Sequence, residues 1–149
     1  MQVELMQMLI DTAGLAYPML VARILIASVF LVSGIHKAFY YQKAMAEFQR
    51  ENIPFIKVTL PATITLHIMA SVCIIAGWHT GEAAFALVAF TTLASLKVHA
   101  FWRLPREEQL GRSRIFFANV SIIGGLLLLG SVGPGPLSIL DSQTFFIDN

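Results

Sequence analysis

The chain has 149 residues, of which 56% are hydrophobic and only 13% charged, with a formal net charge of +1 and a mean hydropathy of +0.71. Soluble domains carry about 25% charged residues, so polar surface is too scarce here for an ordinary soluble monomer. The single cysteine, Cys73, excludes an intramolecular disulfide framework, and the near-neutral balance offers no electrostatic footprint for nucleic acid.

A helix needs roughly 20 apolar residues to cross the hydrocarbon. The first such run extends from residue 12 to 35 and is interrupted only by Arg23. Runs 58–78 and 115–140 contain no Asp, Glu, Lys or Arg, and run 83–96 is also free of them, continuing past Lys97 to Trp102. These runs predict an all-α protein, a four-helix transmembrane bundle in one domain over 1–149, with spans over 17–39, 61–78, 82–102 and 114–132. A β-barrel is excluded because the runs are too long and lack period-2 alternation. Pro61 suits a first helical turn, where its missing N–H is harmless. Gly77, Thr80 and Gly81 break the chain between spans two and three, and Gly133, Pro134, Gly135 and Pro136 end span four. Trp78 and Trp102 fall at span ends, where amphipathic rings favour the headgroup level.

The first loop carries a signal of its own. Residues 40–52 read YYQKAMAEFQREN, with Tyr41, Met45 and Phe48 at helical spacing and Lys43 and Glu47 as an i,i+4 pair, before Ile53-Pro54 ends the pattern. The spacing predicts a short interfacial amphipathic helix; the alternative is a helix packed on the end of the bundle. Loop one holds Lys37, Lys43, Arg50 and Lys57, and loop three holds Arg103, Arg106, Arg112 and Arg114, against no basic residue in either tail or in the turn between spans two and three. The basic-residue rule therefore places loops one and three in the cytoplasm and both termini outward. The start has Glu4 and Asp11 and no basic segment, which predicts no cleavable signal peptide.

Ionisable residues at membrane depth need partners, water or a route to the interface. Arg23 lies just inside the outward end of span one; it can snorkel, bind an anion, or pair with Asp11, Glu82 or Asp141, of which Asp141 is favoured because the chain after Gly135 can fold back. Topology brings His36, Lys37, His67, His99, Trp102 and Asn119 to the opposite half of the bilayer. Turned inward together they would form a polar pocket able to meet a quinone headgroup; turned apart they satisfy one another, nearby carbonyls or headgroups. Lys97 can snorkel to the membrane edge. No spacing is a metal motif and no catalytic residue is identifiable, so no metal is expected. Ser28, Ser33, Gly34, Ala70, Ser71, Ser121, Gly124 and Gly125 allow close helix approach.

Residues 22–41, ARILIASVFLVSGIHKAFYY, resemble the opening of the DoxX family of small bacterial membrane proteins, with Arg23, Phe30, Ser33, Gly34 and Lys37 as its marks. Ile53-Pro54, residues 80–102 with their HAFW ending, and FFANVSIIGGLLLL over 116–129 followed by GPGPLSILD are similar to later parts of that family. Departures fall at charged positions: His67 stands at the place of a family glutamate, Ala118 precedes Asn119 in place of a lysine, and Gly81 stands in place of an arginine. The resemblance implies a bacterial inner-membrane protein with relatives linked to thiosulfate:quinone oxidoreductase and to oxidative-stress complexes. Three functions follow as expectations. The first is a non-catalytic subunit or scaffold of a membrane complex, with no assigned cofactor, whose partners are lipid and another membrane protein or a second copy. The second is a quinone-linked redox subunit. The third is an oligomeric small-solute transporter, although no inverted repeat is evident.

Overall fold

A computed structural model describes the backbone of residues 2–139 and the side chains of 14–139. Among the described residues the chain is all-helical: α1 (Gln2–Phe39), α2 (Tyr41–Arg50), α3 (Ile56–Ala76), α4 (Thr80–Val98), a 3-10 turn (Phe101–Arg103) and α5 (Arg106–Val132). Four segments are long and apolar enough to cross a membrane: Gly14–Phe39, Ile56–Ala76, Thr80–Arg103 and Arg106–Val132.

The helix edges differ from the hydropathy edges where local chemistry extends them. α3 begins at Ile56, with Pro61 inside it, because the Phe55 carbonyl accepts from the Val58 and Thr59 N–H groups at 2.8 and 2.9 Å. α5 begins at Arg106 behind Pro105 as its N-cap. Glu107 and Glu108 occupy its first turn, where carboxylates favour the positive end of the helix dipole. The fourth span thus carries a charged, basic-rich base below its apolar run. α2 is amphipathic and packs on α1 and α3; Ala44 is buried, Tyr41, Met45 and Phe48 are half-buried, and Lys43, Glu47 and Arg50 are exposed.

The helices pack as two tight antiparallel pairs, α1 with α3 and α4 with α5, joined mainly through α3 and α4. Lipid tails are as apolar as leucine, so close packing rather than water exclusion holds such pairs together. Gly34 shows how close: a Cβ there would stand 3.0 Å from both His67 Cβ and Ile68 Cγ1. The core is made of Ala27, Phe30, Ala70, Ile74, Ala84, Leu87 and Leu126. A hydroxyl adds a tie between the first pair, the Ser71 Oγ donating to the Ala27 carbonyl at 3.0 Å. Only Leu126 of α5 is buried, whereas α3 buries six residues.

Candidate functional site

The antiparallel register of α1 and α3 puts Arg23 beside Gly77 at one end and Gly34 beside His67 nearer the other. Arg23 is fully buried. Its Nη2 donates to the Leu137 carbonyl, and Nε and Nη1 have no acceptor among the described residues. Gly77 makes the room. It caps α3 at φ +75°, a conformation that costs glycine little, and a Cβ there would overlap the guanidinium and come within 2.5 Å of Ser138 Cβ. The segment after α5 therefore returns over the ends of α1 and α3. The Ile139 N–H closes it onto the Ala76 carbonyl at 2.9 Å. Beside this strap lies an open cleft of about 540 Å³, walled by Leu20, Val72 and Ile75 and by residues 136–139. Of the carboxylates considered for Arg23, Glu82 bonds His79 at 3.1 Å. Asp141 lies outside the described residues, as does the side chain of Asp11.

The other half holds several smaller arrangements. His67 is buried, its ring set edge-on between Phe30, at 5.4 Å between centroids, and Phe90, at 4.7 Å. Neither ring nitrogen has a partner among the described residues. The Asn119 amide donates to Ser95 Oγ at 2.9 Å, joining α5 to α4, and that hydroxyl donates in turn to the Thr91 carbonyl at 2.7 Å. His99 caps the end of α4. Next to it Arg112 donates to the Val98 carbonyl at 2.9 Å and to Glu51 Oε1 at 2.8 Å, tying α5 to the end of α2. Trp102 packs with Phe101 and Phe116 at centroid distances of 5.3 and 5.5 Å. Lys37 donates to Ser33 Oγ at 2.5 Å, and the His36 ring lies 4.6 Å from that of Tyr40.

Among the described residues, Asn119 alone of the six assigned to this half reaches another helix through a hydrogen bond, and none joins His67, His99 and Asn119 to one another. Phe90, Ser95 and the pairing of Glu51 with Arg112 are the features that sequence reasoning did not single out, and Phe30 entered it only as a mark of a family resemblance. The i,i+4 spacing of Thr91 and Ser95 was a usable signal; the Glu51–Arg112 contact spans 61 positions and had none. Among the described residues no group of three or more His, Cys, Asp or Glu is placed to hold a metal ion.

The profile of the SURF4 family matches residues 44–146. The chain belongs to the SURF4 family. Inner membrane protein YphA of Escherichia coli (strain K12) is 26% identical over 129 residues, covering 85% of this chain and 91% of its own length. Inner membrane protein YqjF of the same organism is 31% identical over 120 residues, 80% of this chain and 87% of its own. The Surfeit locus protein 4 homolog of Drosophila melanogaster is 38% identical over 71 residues, 46% of this chain but 26% of its own, so the match spans about a quarter of that relative. No solved structure matches the chain. This SURF4-family chain is a multi-pass membrane protein by its helices and by its relatives.

The family match corrects the DoxX resemblance. SURF4 is the family found, and its matched region starts at residue 44, beyond the 22–41 block that carried much of the likeness. The residues of that block have structural tasks in this fold. Gly34 admits α3, Lys37 bonds its own helix at Ser33, and Arg23 receives the strap.

Proposed function

We propose that this SURF4-family protein is a non-catalytic subunit or scaffold of a membrane complex in the bacterial inner membrane. The observation that carries the reading is how the interior polar side chains are used. Those that bond across the bundle do so as separate ties, each at its own level: Arg23 to Leu137, Ser71 to Ala27, Asn119 to Ser95, and the half-buried Arg112 to Val98 and Glu51. Polar groups spent on joining helices hold an architecture; a reaction centre needs them converging on one reacting atom. The inner-membrane naming of YphA and YqjF and the basic residues of loops one and three support the location and an orientation with both termini outward. Copurification from native membranes in mild detergent tests the role: a stoichiometric membrane-protein partner is expected, and isolation as a lone chain with a bound redox ligand would refute it. Reporter fusions after Ser138 test the orientation and are expected to be active on the external face; activity in the cytoplasm would reverse it.

One observation favours a second reading, a quinone-linked redox subunit. His67 is buried between Phe30 and Phe90 with both ring nitrogens lacking a described partner, and a quinone carbonyl is an acceptor that an imidazole N–H can serve. Lower quinone retention in His67→Leu, with the bundle still assembled, is what that reading expects; unchanged retention removes it.

A further inference from the structure

Where α1 ends and α2 doubles back, the two helices enclose a groove of about 270 Å³. Its polar wall carries Ser33, His36, Lys37, Tyr40, Lys43 and Glu47, and its apolar floor includes Val29 and Val32. We propose that this groove seats the phosphate of an anionic membrane phospholipid, with an acyl chain running down the valines.

Three features support the assignment. First, neither ammonium group is within ion-pair distance of a carboxylate among the described residues. The ion pairs between described residues are His79–Glu82 and Arg112–Glu51, both elsewhere. Lys37 is fixed instead by the Ser33 hydroxyl of its own helix, and Lys43 lies over the Tyr40 ring at 5.6 Å. An ammonium has three donors, so both retain N–H capacity for an oxyanion. Glu47 offsets part of the charge, leaving the groove net positive. Second, the His36 imidazole, tilted against the Tyr40 ring at 4.6 Å between centroids, adds a polar edge to the same wall. Third, Val29 and Val32 are exposed and continue the groove along the membrane-facing side of α1. A free phosphate gains nothing from that wall, whereas an amphiphile covers it. Basic recesses at the membrane edge between helices suit anionic headgroups.

Native mass spectrometry of the purified full chain tests the proposal, using phosphatidylglycerol and phosphatidylcholine of matched acyl chains, with inorganic phosphate as competitor. A lysine near the membrane surface contributes about fivefold to anionic lipid affinity. Phosphatidylglycerol retention is therefore expected to exceed phosphatidylcholine by at least about fivefold, and to drop by about fivefold in each of Lys37→Gln and Lys43→Gln. Glu47→Gln is expected to raise it, a gain that misfolding does not produce. Equal retention of the two lipids, or retention unchanged in the double lysine variant, overturns the site. Displacement of phosphatidylglycerol by millimolar inorganic phosphate overturns the lipid as its occupant.

Discussion

Arg23 and His67 sit on the two helices that pack most closely, both removed from their surroundings at 0% and 4% exposure, yet they are held by different means. Arg23 is met by a segment 114 positions away, through the Leu137 carbonyl, in a space that only a glycine at 77 leaves open. His67 meets aromatic edges from the helices on either side. A buried donor left without a partner costs about 1–3 kcal/mol, and both residues carry such donors among the described contacts. The difference is that Arg23 organises chain outside its own helix, whereas His67 fills a slot between helices. One end of the bundle is thus closed by a strap built around a charge; the interior toward the other end is packed around a polar ring.

That contrast can be broken most forcefully at Gly77. Gly77→Val combines a side chain at φ +75° with overlap on Arg23 and Ser138, and left-handed strain plus overpacking amounts to roughly 3 kcal/mol or more. Unfolding titrations in detergent are expected to show that loss; a change below about 1 kcal/mol would mean that the strap does not depend on this cap. Arg23→Met removes the charge but keeps the volume. Its main expected effect is local, a strap released from Leu137 and cut faster by protease after Gly135, with about 1.5–3 kcal/mol of stability lost from a charged hydrogen bond. Unchanged cleavage would detach the strap from Arg23.

His67→Phe is expected to have the opposite sign. A phenyl ring suits the slot between Phe30 and Phe90, and two buried nitrogens without described partners disappear, so stability is expected to rise by about 1 kcal/mol. A loss of similar size would mean that an acceptor or ligand bonds the imidazole in the membrane. Asn119→Ala gives the smallest effect, about 0.6 kcal/mol, the average for a hydrogen bond between membrane helices. A cost beyond about 2 kcal/mol would mark Asn119 as part of a larger network than its bond to Ser95.

The same contrast explains what could be read from sequence. Charge-free runs dictate helices wherever lipid surrounds the backbone, so the four spans and the amphipathic α2 were legible from composition and spacing. The need of Arg23 for a partner was legible too, as was the return of the chain after Gly135. Which atom serves it was not, because a backbone carbonyl such as that of Leu137 leaves no trace in residue type. Helix rotation was hidden as well. α3 is apolar nearly all round, so nothing in its pattern says that His67 points between Phe30 and Phe90 rather than toward Asn119. The Asn119–Ser95 and Glu51–Arg112 contacts depend on those rotations and on the register of distant helices. The short motifs at residues 22–41 suggested one family, and similarity along residues 44–146 showed another.

The proposed subunit role rests on polar residues that tie helices together at separate levels instead of converging on a reaction centre. Quantitative mass spectrometry of the tagged protein from native membranes, comparing the unaltered chain with His67→Phe, tests it most directly. The account predicts the same stoichiometric membrane-protein partner in both samples and no bound quinone that depends on His67. A chain that purifies without a partner, carrying a quinone that His67→Phe releases, would contradict it.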